Sequence, residues 1–198
     1  TRDRSGRDLI CQIDTKTGEV TPIAKCELPR RQQSFQTPEW SLDGKSIYYV
    51  FNDSKKGTRQ VLLRNLETGI EKELFQAPTW EERIVLALSP DGKWLAMISN
   101  PREKAKTVII MPAVGGESRE LYKFEYAQPW IGPVAWTPDG KHILFVKGGA
   151  FEKADETASI AELWQVSVES GKAKNLGLKA AMIWQLSAHP DRRQIAFD

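Results

Sequence analysis

The 198 residues carry 28 Lys and Arg against 26 Asp and Glu, with 40% hydrophobic and 27% charged side chains. That balance belongs to a folded chain of one ordinary domain's length and excludes disordered or collagen-like classes. The net charge of +2 is interspersed with no basic block, which removes the clustered footprint a nucleic acid needs, and no apolar run approaches the roughly 18 residues of a membrane span.

The chain begins at Thr1 where a Met would be usual, which reads as processing or excision, and its first twenty residues are polar, so no retained signal peptide is expected. The first predicted element is a hairpin turning between Asp14 and Glu19, flanked by Cys11 and Cys26. The two cysteines stand at different distances from that turn, so they do not oppose each other in a ladder and free thiols are expected.

From there the chain repeats itself. Asp-Gly-Lys occurs at 43–45, 91–93 and 139–141, with a degenerate fourth copy at Asp191-Arg192-Arg193, so the Asp spacings are 48, 48 and 52. The flanks recur too: Trp40-Ser41-Leu42, Leu88-Ser89-Pro90, Trp136-Thr137-Pro138 and Ala188-His189-Pro190 precede the turns. Ile47, Leu95, Ile143 and Ile195 follow four residues after each Asp, and Tyr49, Met97, Phe145 and Phe197 six after. Asp-Gly between short alternating apolar runs predicts a tight hairpin, because Gly accepts the positive φ that such turns demand.

A second set of turns alternates with the first, at Thr17-Gly18-Glu19, Thr68-Gly69-Ile70, Gly115-Gly116-Glu117 and Ser170-Gly171-Lys172. Each period therefore holds two hairpins and four strands. Such a sheet cannot bury both faces alone, so neighbouring copies must stack face to face around an axis. The fold class is all-β, a β-propeller of four-stranded antiparallel blades. It has a half blade at 8–26, blades at 34–76, 83–123 and 131–176, and a half blade at 181–198.

The phrases Trp40-Ser41-Leu42-Asp43-Gly44-Lys45, Ser89-Pro90-Asp91-Gly92-Lys93 and Thr137-Pro138-Asp139-Gly140-Lys141 resemble the repeat signature of TolB-like propellers across essentially the whole chain. The resemblance implies strands a to d from axis to rim, with the Asp-Gly-Lys turn joining a to b and the other glycine turn joining c to d. Arg192 departs from the signature and implies a different turn there. The family's rings commonly have more than four blades, so an open arc of a larger ring is expected. The alternative is a closed four-bladed ring, in which the strand at Ile195 to Phe197 pairs with the one at Leu9 to Ile13.

In such propellers the a–b and c–d turns share one face, and the b–c and d–a loops share the other. The interval from Asp to turn glycine is 26, 25 and 32 residues in the three blades, and the excess lies in the b–c loop Lys147 to Ile160. Glu152 to Ile160 has helix-compatible composition. Loops on a rigid scaffold carry binding residues, so Phe151, Glu152 and Asp155 are candidates there, with Trp80, Tyr126 and Trp130 in the d–a connections. Exposed Trp and Tyr make favoured anchors. Trp40, Trp94 and Trp136 stand beside the turns and are expected in the core, with Trp164 and Trp184 also structural.

The two histidines, His142 and His189, occupy repeat-specified positions, and no Gly-x-Ser-x-Gly elbow, zinc spacing or calcium loop is present. No catalytic residues, metal site or cofactor are expected. The expected role is a non-catalytic scaffold that binds a protein or peptide on the b–c/d–a face or senses a ligand, within a larger bacterial envelope or signalling protein. A periplasmic or extracytoplasmic location follows from the resemblance alone. The alternative is the substrate-gating propeller of a prolyl-oligopeptidase-type serine peptidase. The isolated chain is accordingly expected to show no peptidase or esterase turnover; hydrolysis lost on His142→Ala or Ser118→Ala would overturn that expectation.

Overall fold

Both faces of the repeat's middle strands are apolar, and the computed structural model shows them covered on both sides. It describes residues 8–26, 38–53, 55–78, 84–99, 105–124, 132–148, 160–180, 183–191 and 194–197. The chain divides into two compact units, Thr1–Glu81 and Glu82–Asp198. The first holds β1 (Asp8–Ile13), β2 (Val20–Cys26), β3 (Glu39–Trp40), β4 (Ser46–Asp53), β5 (Thr58–Asn65) and β6 (Glu71–Pro78). Here β1 and β2 form a two-stranded sheet and β3–β4–β5–β6 a four-stranded one.

The second unit holds β7 (Ile84–Leu88), β8 (Trp94–Ser99), β9 (Thr107–Pro112) and β10 (Arg119–Lys123), which make one four-stranded sheet. The next sheet is β11 (Val134–Trp136), β12 (His142–Lys147), β13 (Ala161–Ser167) and β14 (Ala173–Ala180). Last comes a two-stranded sheet of β15 (Leu186–Ala188) and β16 (Ile195–Phe197). Every pairing is antiparallel between sequence neighbours. The expected strands after the Asp-Gly turns are β4, β8 and β12. The helix-compatible stretch before Ile160 and the irregular turn at Arg192 lie outside the described residues.

The turns are built as their composition demands. Gly44, Gly92 and Gly140 have φ of 68°, 70° and 67°, the left-handed region closed to most side chains. A hydroxyl two residues before each Asp completes the turn, a feature the sequence reading did not extract. Ser89 Oγ donates to Asp91 Oδ1 (2.6 Å) and accepts from the Trp94 N–H (2.9 Å), while Asp91 Oδ1 also accepts from the Lys93 N–H (3.1 Å). Ser41–Asp43 and Thr137–Asp139 repeat the arrangement. These bonds hold the carboxyls of Asp43 and Asp91 below the usual range, the hydroxyl's donation counting most. In the fourth copy His189 stands in the hydroxyl's place, its Nδ1 accepting from the Asp191 N–H at 3.2 Å.

The two turn types of a blade are stitched together. Leu66, Ala113 and Val168 each donate a backbone hydrogen bond to Lys45, Lys93 and Lys141 of the a–b turn, at 2.8–2.9 Å, so both turns lie at one end of each blade. The c–d ladders are all irregular midway: Ile23, Leu74 and Leu121 are skipped in the first three, and 176–178 in the fourth. Such bulges bend and twist the outer strand.

Cores lie between sheets. In the second unit Ala96, Ile98, Val108, Ile110, Leu121 and Phe124 of one sheet meet Trp136, Ile143, Phe145 and Val166 of the next. A second layer sets Leu144, Val146, Ala161 and Leu163 against Ile183, with Trp184 packed beside it. In the first unit Ile10, Ile23 and Ala24 meet Ile47, Tyr49 and Leu62. Cys11 is a free thiol opposite Pro22, and Cys26 stands opposite Asp8.

Two tryptophans depart from expectation. Trp136 is buried, its indole N–H donating to the Ala87 carbonyl of the preceding sheet (2.9 Å). Trp40 occupies the same repeat position yet is 47% exposed. The sheet before it, β1–β2, has only the outer two strands, so among the described residues of that unit no inner strand offers the counterpart of Ala87. Trp94 is 39% exposed because it opens β8 at the turn end, where Ser46 and His142 stand in the other copies.

The turn chemistry gives a direct test. Ser89→Ala leaves the Trp94 N–H and the Asp91 carboxylate without their shared partner, and a loss of about 2 kcal/mol is expected in chemical denaturation. Gly140→Ala, where no neighbour lies within 4 Å of an added Cβ, is expected to cost about 1 kcal/mol from the φ alone, and Gly140→Asn less; equal costs for Ala and Asn would contradict that.

Candidate functional site

The six expected binding residues, Trp80, Tyr126, Trp130, Phe151, Glu152 and Asp155, all lie outside the described residues. What is described is the base on which their loops stand. Gly148 and Ile160 flank residues 149–159, and Gly148 has a φ of 86°. A Cβ there would overlap the Ile160 carbonyl oxygen, so this glycine lets the two ends of the insertion meet.

At that end of the second unit an aromatic and charged ledge is assembled. Lys147 closes β12 directly opposite Glu162 of β13. Its ammonium lies 4.8 Å from the Trp164 ring centroid and 3.5 Å from the Tyr122 hydroxyl. The Trp164 indole N–H donates to Glu162 Oε2 (3.1 Å), the Asn175 amide donates to the same oxygen (3.0 Å), and Lys179 stands 3.9 Å from Oε1. Tyr122 packs against Phe145, Phe124 and Trp164 at centroid distances of 5.0, 5.2 and 6.4 Å.

The register shifts at Leu121 and between Glu162 and Trp164 fall next to these rings in sequence. Tyr122, Lys147, Glu162 and Trp164 are all half-buried, so each presents an edge to solvent while its body packs between sheets. A cation is thus seated on a half-exposed indole whose N–H is already paired with a carboxylate. Sequence reasoning assigned Trp164 to structure and passed over Tyr122 and Lys147. The available signal was the Lys ending the apolar run of β12 just before the longest loop.

The first unit offers a different feature, a cleft of about 760 Å³ between β1–β2 and the β4–β6 strands. Its walls are apolar at Leu9, Ile23, Phe51 and Leu62 and polar at Arg64 and Glu71. Tyr49 donates its hydroxyl proton to Glu71 Oε1 (2.7 Å), and Arg64 Nη1 donates to the same oxygen (2.7 Å) and to the Gly69 carbonyl (2.9 Å). Phe145, Val166 and Ala173 hold these positions in the β11–β14 sheet, where they pack in an apolar core. A salt-bridged triad thus replaces three apolar contacts beside the two-stranded β1–β2 sheet.

Among the described residues no group of three or more His, Cys, Asp or Glu could hold a metal ion, and no helix is long and apolar enough to cross a membrane. Ser118 is an exposed turn residue and His142 is half-buried at the stitched end. Glu39 is a carboxyl shifted in the opposite sense to those of Asp43 and Asp91. On β3, opposite Tyr48, burial pushes it up to about 7.

Comparison with known proteins bears on the fold. No protein-family model matches the chain. The uncharacterized peptidase YuxL of Bacillus subtilis is 28% identical over 202 residues, covering 83% of this chain and 29% of its own length. The chain therefore spans less than a third of that relative. TolB of Acinetobacter baumannii is similar with a TM-score of 0.69 and 18% identity, over 94% of this chain and 42% of its own. The β-propeller domain of the Trilobed protease of Pyrococcus furiosus, which has an open velcro topology, is similar with a TM-score of 0.59 and 17% identity, over 90% of this chain and 50% of its own. The fold is that of a TolB-like β-propeller.

The raised Glu39 carboxyl predicts a pH dependence. Between its usual value of 4.5 and about 7 the folded protein holds a proton that the unfolded chain has released, so stability falls as pH rises through that window and stays lower above it. Glu39→Gln is expected to melt higher than the unsubstituted chain at pH 8 and at the same temperature near pH 4.5. Parallel melting curves across the window would refute the assignment.

Proposed function

We propose that the chain is part of one β-propeller that binds a protein or peptide on its b–c/d–a loop face and performs no chemical step of its own. The observation carrying this reading is the Lys147–Trp164–Tyr122 ledge at the base of the 149–159 loop, at the end of the blade opposite the stitched turns. Regular turns closed by internal hydrogen bonds have few donors to spare, whereas the loop end combines a cation, an indole and a phenol on packed strands. Trp80, Tyr126, Trp130, Phe151, Glu152 and Asp155 belong to the same proposed face, as anchors on the loops above the ledge. An extracytoplasmic, periplasmic location accompanies this reading on the resemblance to TolB-like propellers only.

The second reading is supported by the similarity to a protein named as a peptidase and to the propeller of the Trilobed protease. In it the same face meets the catalytic domain of a longer polypeptide and screens peptides before cleavage. The full-length gene product discriminates the two, because only the second needs a hydrolase domain.

Selection from a displayed peptide library, followed by calorimetry on the chain, tests the first reading. Trp164→Ala and Lys147→Ala are each expected to weaken the selected peptide at least 10-fold, while Trp94→Ala, at the turn end, leaves it unchanged. Equal effects at both ends, or peptides insensitive to all three substitutions, would place binding elsewhere.

A further inference from the structure

Lys147 has no carboxylate of its own among the described residues. It stands directly opposite Glu162 in the β12–β13 ladder, the place for a cross-strand ion pair, yet that carboxylate is already engaged. Glu162 Oε2 accepts from the Trp164 indole and the Asn175 amide, and Oε1 faces Lys179 at 3.9 Å. The Lys147 ammonium lies instead over the Trp164 ring and donates a long bond of 3.5 Å to the Tyr122 hydroxyl. That hydroxyl accepts with its oxygen, so its proton is free for a further acceptor, and none stands among the described residues. Two lysines thus meet one carboxylate on β12–β14 at this end, beside rings packed between two four-stranded sheets.

We propose that the ledge takes an acidic side chain of a peptide segment, its Glu or Asp carboxylate held between the Lys147 ammonium and the Tyr122 hydroxyl. This rests on the peptide-binding reading above and names what the peptide must carry. A carboxylate in that place gains a charge-assisted hydrogen bond from the ammonium, beside half-buried rings where water screens the attraction less than it does on an open surface. Residues flanking the acid meet the exposed edges of Trp164 and Tyr122. A basic side chain would be repelled, and a neutral one would leave the ammonium without its partner. A side chain is the source because capture of a peptide's C-terminus draws on converging backbone N–H groups, whereas Lys147 and Glu162 are paired with each other in the ladder.

Peptides selected by display on the chain are expected to be enriched in Glu and Asp. For one of them, synthesised with an amidated C-terminus, replacing its acid by the matching amide is expected to weaken calorimetric binding about 10-fold or more on the unsubstituted chain. The same replacement should cost less than roughly 2-fold on Lys147→Met, which keeps the stem's packing on Trp164 and removes the charge. Lys147→Arg is expected to retain the preference, and Lys147→Glu to invert it in favour of a peptide with Lys at that position. Peptides that need Trp164 but bind equally with the amide would overturn the carboxylate and leave the peptide-binding face standing. Loss of binding on C-terminal amidation alone would overturn the side chain as its source. Peptides insensitive to both Trp164→Ala and Lys147→Met would remove the ledge, and with it the reading on which the inference rests.

Discussion

Everything in this structure depends on strands that are apolar on both faces. Ile47 to Val50, Leu95 to Ile98 and Ile143 to Val146 are buried without alternation, so each four-stranded sheet must be covered from both sides to be stable. A lone blade would leave one of those faces in water. The outermost strand, by contrast, is half-exposed along its length, as β14 shows.

That constraint explains how polar groups are placed. Where two four-stranded sheets meet in the second unit, the interface is apolar, with Phe145, Val166 and Ala173 in the core. Beside the two-stranded β1–β2 sheet the same positions carry Tyr49, Arg64 and Glu71, joined by hydrogen bonds of 2.7 Å. Tyr49 and Arg64 both donate to Glu71 Oε1, which lowers the cost of bringing charge near an apolar interface. The ledge around Trp164 follows the same logic at the edge of the dry interface, with Glu162 saturated by an indole, an amide and a lysine.

The two ends of a blade are built differently. One end is locked by the Ser/Thr–Asp couples and by backbone bonds between successive turns. At the other, the c–d ladders shift register through bulges. A surface of half-packed rings on an otherwise stiff sheet loses little side-chain entropy on binding, and this is why the proposed interface is sought there.

The sequence by itself determined the repeat, the turn positions and the strands that follow them, because each rests on local causes: Gly44, Gly92 and Gly140 can take a positive φ, and alternating apolar residues must face something. It also contained the longer b–c interval, visible as a count. The tertiary structure alone decided what each repeated residue faces. Trp40 and Trp136 are the same residue in the same phrase, yet one is open and the other buried against Ala87, because burial belongs to the neighbouring sheet and not to the strand. The Tyr122–Lys147–Trp164 grouping was illegible for the same reason: its members come from three strands and two sheets, and only the packing of one bulged sheet on the next brings them within a few ångströms.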